Sequence, residues 1–241
     1  MTALSVNLNK IALLRNSRGR DYPNVLAYGE KLIGMGVHGL TVHPRQDERH
    51  ATKQDTRDLS RLTQQHPEVE FNVEGYPSDQ FMQLIAETKP DQCTLVPDAP
   101  DQLTSDHGWD LTIHFEWVAD LARQLNSLGV RSSLFIDPSV EQIQLAAKAG
   151  VDRVELYTEA YAHGFSAGDC VEVLAQYAEA TRTAQDLGLG VNAGHDLDLS
   201  NLSEFLTIPN ILEVSIGHAL TVESLEFGVA EVIKRYLKIC A

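Results

Sequence analysis

A single (β/α)8 barrel of the TIM type with extra helices, spanning residues 1–241, is the fold class this sequence predicts, and three observations predict it. Short apolar runs alternate with longer amphipathic stretches along the whole chain. There are eight such runs in 241 residues, close to the roughly 250 residues typical of that architecture. No Pro/Gly/Ser-rich linker and no shift in composition divides the chain, so one domain is expected.

The first strand is expected at residues 4–8 (LSVNL), and the second at 39–43 (GLTVH), where apolar and polar side chains alternate with the period of a strand. The third falls at 70–74 (EFNVE) and the fourth at 92–97 (QCTLVP). The remaining four are expected at 131–137 (RSSLFID), 153–157 (RVELY), 190–194 (GVNAG) and 211–217 (ILEVSIG). Between them lie helical patterns such as 79–89, where Phe81, Leu84, Ile85 and Thr88 recur at helical spacing, and 171–188. Gly36, Gly129, Gly150 and Gly188 stand where helices should end before the next strand, a place that favours the left-handed backbone. The recurrence of helix, glycine and strand is a weak internal repeat.

Composition narrows the partners. Thirty-four acidic against nineteen basic side chains give a net charge of −15, which opposes binding to nucleic acid or an anionic membrane. Any anion must therefore be held by local positive potential. Cys93, Cys170 and Cys240 follow no CxxC pattern and read as inert core thiols of a reducing compartment. With no signal-like lead-in and no window of 18 uncharged apolar residues, a soluble cytoplasmic protein is expected.

In barrels of this type chemistry sits at the carboxyl ends of the strands. Those ends carry Asn7 and Asn9, His43 and Arg45, Asn72 and Glu74, Asp137, Glu155, Asn192 and His195, and Gly217 and His218. One polar strand end is commonly structural; six or seven together point to a site. Taken singly, Asp137 and Asn192 read as structural, holding a loop or orienting a neighbour. Glu74 has no lysine or arginine within four residues, so an inward-facing carboxyl there is expected to hold its proton unusually tightly.

Two features read as phosphate sites. Arg15 and Arg18 in the loop after the first strand should meet Arg45, Arg49 and His50 after the second, where guanidinium forks suit phosphate oxygens. The competing reading is a set of surface ion pairs with Asp21, Asp47 and Glu48. The turns 192–196 (NAGHD) and 215–219 (SIGHA), on the last two strands, resemble the barrel phosphate cradle made from backbone N–H groups and a helix N-terminus. The segment 97–110, with two prolines and four aspartates, is long enough to be expected as a lid. No metal-ligand spacing and no GxSxG motif occurs, so no metal is expected, and Lys10 is the one strand-end lysine that could form an imine.

The segments VNLNKIALLRNSRG, TVHPRQDERH, FNVEGYPS, ETKPDQCTLVPD, SLFID, VNAGHD and SIGHAL, in this order over about residues 4–237, closely resemble the pyridoxine 5′-phosphate synthase family of vitamin B6 biosynthesis. The resemblance implies an octameric barrel without a cofactor. It would condense 1-deoxy-D-xylulose 5-phosphate with 3-amino-2-oxopropyl phosphate to give pyridoxine 5′-phosphate, inorganic phosphate and water. By the same resemblance the general bases fall on His43 and Glu74, the proton donor on His195, and a transition-state-stabilising carboxylate on Glu155. Asn7, Arg18, Asp196, Gly217 and His218 match contacts to the amino-ketone phosphate, and Asn9, Lys10, Arg45, His50 and Thr104 match contacts to the ketose phosphate. The chain departs from the family pattern at Asn9-Lys10, Tyr157 and Asp196, where another form has Asp-His, His and Gly. An aldolase working through a Lys10 imine, and a barrel that only binds a sugar phosphate, are the alternatives.

Overall fold

The computed structural model describes residues 1–98 and 105–241. Eight parallel strands close into a barrel in sequence order, β1 pairing with β8. They are β1 Ala3–Asn7, β2 Gly39–Val42, β3 Glu70–Gly75, β4 Gln92–Leu95, β5 Arg131–Ile136, β6 Arg153–Tyr157, β7 Gly190–Gly194 and β8 Glu213–Ile216. Every expected strand is present, with ends displaced by at most two residues.

Around the barrel run α1 Asn9–Asn16, α2 Val25–Ile33, α3 Lys53–Thr63, α4 Asp79–Thr88, α5 Leu111–Leu128, α6 Val140–Ala149, α7 Glu159–Ala167, α8 Val171–Asp186, α9 Leu202–Phe205, α10 His218–Phe227 and α11 Val229–Cys240. The extra helices are second ones after β1, β6 and β8. Side-chain caps start several of them, as Thr52 and Asp55 do reciprocally for α3. Gly129 ends α5 in the left-handed conformation, as expected, whereas Lys89 performs the same turn after α4 without being glycine.

Two faces of each strand do different work. Leu4, Val6, Leu40, Val42, Phe71, Val73, Leu134, Ile136, Val214 and Ile216 occupy one parity of their strands and are buried among the helices. Such burial stabilises by roughly 1.5–3 kcal/mol per large side chain. The other parity is mostly polar, with Phe135 the large apolar exception: Asn7, Glu70, Asn72, Glu74, Gln92, Thr94, Arg131, Arg153, Glu155, Asn192 and Glu213. These residues bond between strands that are not neighbours, which requires crossing the lumen. Thr94 Oγ1 lies 3.4 Å from Glu155 Oε2, Asn192 Nδ2 donates to Gln92 Oε1 at 3.2 Å, and Arg131 pairs with Glu70. Arg153 lies 3.9 Å from Glu213. A barrel interior is commonly filled by Val, Ile and Leu. This one is a hydrogen-bonded polar column, with its apolar core wrapped outside the sheet.

The column explains two residues expected to be structural. Asn192 accepts from Arg153 at 3.1 Å, and Asp137 accepts the Gly108 backbone N–H at 3.2 Å, tying down the approach to α5. All three cysteines are buried free thiols, and burial pushes Cys93 upward in pKa, away from reactivity. Among the described residues no helix is long and apolar enough to cross a membrane.

Candidate active site

The carboxyl ends of β1, β2 and β3 place Asn7, His43 and Glu74 together. His43 Nδ1 lies 4.0 Å from Glu74 Oε2, too far for a hydrogen bond and close enough for a reacting group to touch both. Asn7 Nδ2 donates to Glu74 Oε2 at 3.3 Å. Its Oδ1 accepts the Asn9 backbone N–H at 3.0 Å, and Asn9 Oδ1 in turn accepts the His43 N–H at 2.9 Å. An unbroken side-chain and backbone relay thus fixes both groups. Asn9, expected as a substrate contact, has its amide oxygen engaged in holding His43; an acceptor is required there, which Asp would also provide.

Burial, followed by the charges of Arg45, His50 and Arg49, pushes the His43 pKa well below the usual range. Burial, followed by Glu155, Asp98 and Glu213, pushes Glu74 well above its own, against an opposing contribution from Arg45. Burial thus favours the uncharged form of both partners, the imidazole without its extra proton and the carboxyl with one. One can accept a proton and the other can give one.

Glu155 lies deeper in the column. Burial and then Glu213 raise its pKa to about 8, and Glu213 itself is raised to about 7 by burial and then Glu70. The carboxyl of Glu155 rests against Gly194, where a Cβ would sit 2.4 Å from Oε1. Only glycine permits that approach without displacement.

After β7 the chain turns through two left-handed residues, His195 (φ 85°) and Asp196 (φ 59°). The Thr158 hydroxyl holds this turn by donating to the Gly194 and His195 carbonyls. His195 Nδ1 lies 2.8 Å from Asp196 Oδ2, and the ring stands edge-on to Tyr157 with centroids 5.0 Å apart. The Asp196 carboxylate is thus turned onto the imidazole, and this hydrogen bond holds its pKa below the usual range. Gly217 packs on Asn7, its would-be Cβ 3.0 Å from Asn7 Cβ, and His218 opens α10 directly behind. The expected cradle on the last strand is accordingly a helix N-terminus beside Asn7.

The cation cluster is reorganised relative to the sequence reading. Arg15 lies in the last turn of α1, not in a loop, and grips both carboxylate oxygens of Asp55, the residue that caps α3. It fastens two helices and is not part of an open anion funnel. Arg18 is exposed in the turn beyond α1. Asn16 donates to the carbonyls of Glu48, Arg49 and His50, clipping their loop to α1. Arg49 pairs loosely with Asp47 at 3.6 Å, one of the expected surface pairs. His50 is pushed down to about 4 by burial, Lys10, Arg45 and Arg49, so it is a neutral hydrogen-bonding group at pH 7.

Arg45 is buried with Nη2 2.6 Å from Asp98 Oδ2, which also accepts the Ser105 hydroxyl at 2.7 Å. Asp98 is the first acidic residue after β4, and the strand-end test would have found it. Arg45, His43, Lys53, Tyr76 and Asp98 line one cavity that opens to solvent. Thr104 and the rest of residues 99–104, six of the fourteen in the expected lid, lie outside the described residues. No cluster of three His, Cys, Asp or Glu side chains suited to a metal occurs among the described residues.

With this geometry in place, comparison with known proteins is direct. The model of the family described as pyridoxal phosphate biosynthesis protein PdxJ matches residues 4–241. A pyridoxine 5′-phosphate synthase of Chelativorans sp. is 49% identical over 242 residues, covering 98% of each chain. One of Christiangramia forsetii is 47% identical over 240 residues, covering 99% of each. The solved structure of KGPDC from Streptococcus mutans is similar with a TM-score of 0.65 at 9% identity, covering 100% of this chain and 97% of that one, which shows the fold alone. Match over nearly the full length, at close to half the residues identical, establishes that this chain is an enzyme belonging to the pyridoxal phosphate biosynthesis family PdxJ.

Proposed function

We propose that this chain is the ring-closing synthase that condenses 1-deoxy-D-xylulose 5-phosphate with 3-amino-2-oxopropyl phosphate, releasing pyridoxine 5′-phosphate, inorganic phosphate and water. The observation that carries the reading is the pairing of His43 with Glu74, 4.0 Å apart and shifted by burial in opposite directions, beside a buried arginine. An amine must add to a carbonyl, and several protons must then move while water and phosphate depart. Groups that can exchange protons near neutral pH meet that need, and holding two ketones together removes up to about 7–11 kcal/mol of the barrier in well-oriented cases.

In this reading His43 and Glu74 abstract and return protons, His195 donates one, and Glu155 stabilises charge as it develops. The amino-ketone phosphate sits against Asn7, Arg18, Gly217, His218 and the Asp196 backbone. The ketose phosphate lies toward Lys10, Arg45, His50 and Thr104, with Asn9 acting through His43. The turn of the Asp196 carboxylate onto His195 supports this placement, because it takes the negative charge off the phosphate seat. The family's octamer, cytoplasmic location and freedom from cofactors belong to the same proposal. Purified protein incubated with the two ketone phosphates should form pyridoxine 5′-phosphate, detected by chromatography and mass. Binding of both substrates without product would overturn the reaction, and trapping of a borohydride-reduced adduct on Lys10 would replace it with an aldolase.

A further inference from the structure

We propose that Asp98, just beyond β4, is a positioning residue that holds the Arg45 guanidinium in the orientation in which it receives the phosphate of the ketose substrate; the inference rests on the reaction proposed above. Oδ2 of Asp98 accepts Arg45 Nη2 at 2.6 Å and the Ser105 hydroxyl at 2.7 Å. Both Arg45 and Asp98 are at least nine-tenths buried. An arginine side chain has many rotamers, and a charged hydrogen bond to a fixed carboxylate selects one.

The pair is poorly built for stability alone. Asp98 Oδ1 is buried with no hydrogen-bond partner among the described residues, a state that costs free energy. Apolar side chains of similar volume would commonly hold a fold as well as a buried ion pair does. What such a pair provides that apolar groups cannot is a guanidinium at a defined place on the cavity wall. The other arginines of the cluster are used differently: Arg15 fastens α1 to α3 with both ends of its fork, and Arg49 sits at the rim with Asp47. Arg45 and Asp98 line the cavity that His43 also lines.

A second effect follows from charge. Arg45 opposes protonation of both His43 and Glu74, while Asp98 favours the protonated Glu74. With Glu155, Glu213 and Arg45 also acting on Glu74, Asp98 offsets part of the arginine's field. An anion-binding charge is thereby tolerated beside a carboxyl whose hold on a proton is raised by burial.

The test is steady-state kinetics of Asp98→Ala and Asp98→Asn on the full chain, with each substrate varied in turn. Asp98→Ala should raise KM for 1-deoxy-D-xylulose 5-phosphate by roughly 10-fold or more, the scale of one charge-assisted hydrogen bond to the phosphate lost. KM for the amino-ketone phosphate should stay within about 2-fold and kcat within about 3-fold. Asp98→Asn, which still offers Arg45 an oxygen, should recover most of the lost affinity. An unchanged ketose KM in Asp98→Ala, or an equal rise in both KM values, would overturn the proposal. If Asp98→Ala does not fold, Asp98→Glu takes its place: the carboxylate one methylene further out should raise the ketose KM selectively, and failure to do so refutes the idea. Should wild-type protein bind the ketose phosphate yet make no product, the reaction falls, and calorimetric affinities of the same variants still decide the role of Asp98.

Discussion

Replacing Gly194 with alanine tests how tightly the polar column is packed against the site. Gly194 does not have a positive φ, so alanine suits its backbone and any penalty must come from contacts. The added Cβ would lie 2.4 Å from Glu155 Oε1, where ordinary contact begins at 3.4 Å, so something must move by about 1 Å. Glu155 is 4% exposed and within reach of Thr94, which leaves it little room. Overpacking of this kind destabilises by about 1–3 kcal/mol. A carboxyl displaced by about 1 Å should also lower turnover by on the order of 10²-fold. Urea unfolding at fixed protein concentration measures the first, and initial rates the second. In a Glu155→Ala background the clashing oxygen is gone, and Gly194→Ala should cost less than about 0.5 kcal/mol. Equal penalties in both backgrounds would show that the contact with Glu155 is not what the glycine serves.

Glu74→Gln keeps size and hydrogen bonding but cannot take a proton; it should bind both phosphates with near-native affinity and lose on the order of 10²–10⁴-fold in turnover. Retention of more than about a tenth of native turnover, a loss of only ~1.4 kcal/mol, contradicts a general-base role. Folding stability should depend on pH from two sides. Glu155 and Glu213, raised to about 8 and about 7, contribute stability that is complete below their unfolded values and is lost as pH rises through those numbers. His50, lowered to about 4, contributes stability that is present above its unfolded value and lost as pH falls toward 4. Between about pH 4.5 and 6.5 the two carboxyls outweigh the one histidine, so the urea midpoint should peak near pH 4.5 and fall above it; a midpoint rising steadily from pH 6 to 8 would contradict the assignment. Phosphate binding beside His50 should draw a proton onto the ring, so calorimetry in two buffers of different ionisation enthalpy should reveal net proton uptake at pH 6 that shrinks by pH 8. Proton release at pH 6 would place the phosphate elsewhere.

The strands were legible because each repeats an apolar face against a polar one, as in 70–75, where Phe71 and Val73 alternate with Glu70, Asn72 and Glu74. Helix ends were legible where glycine marks them, as at Gly129, and hidden where Lys89 takes the left-handed turn. Of the site, the residues at strand ends could be named, because a strand end fixes where a side chain must be. Their partners could not. Arg15 meets Asp55, and Arg45 meets Asp98, across forty or more positions of chain, and no local pattern announces such a pairing. The same holds for Asn9, whose contact with the His43 backbone depends on how β1 and β2 lie side by side.

The polar lumen also disciplines folding. A strand that slipped by one residue against its neighbours would turn its two faces inside out. In an apolar barrel such a slip would exchange one greasy surface for another at modest cost. In this chain it would drive Arg153, Glu213 or the Glu155 carboxyl into the sleeve of leucines and valines under the helices, and would strand the Arg153–Glu213 pair, at several kcal/mol. Eight strands must agree for β8 to meet β1. The side chains that carry the chemistry thus double as a proofreading device for the sheet.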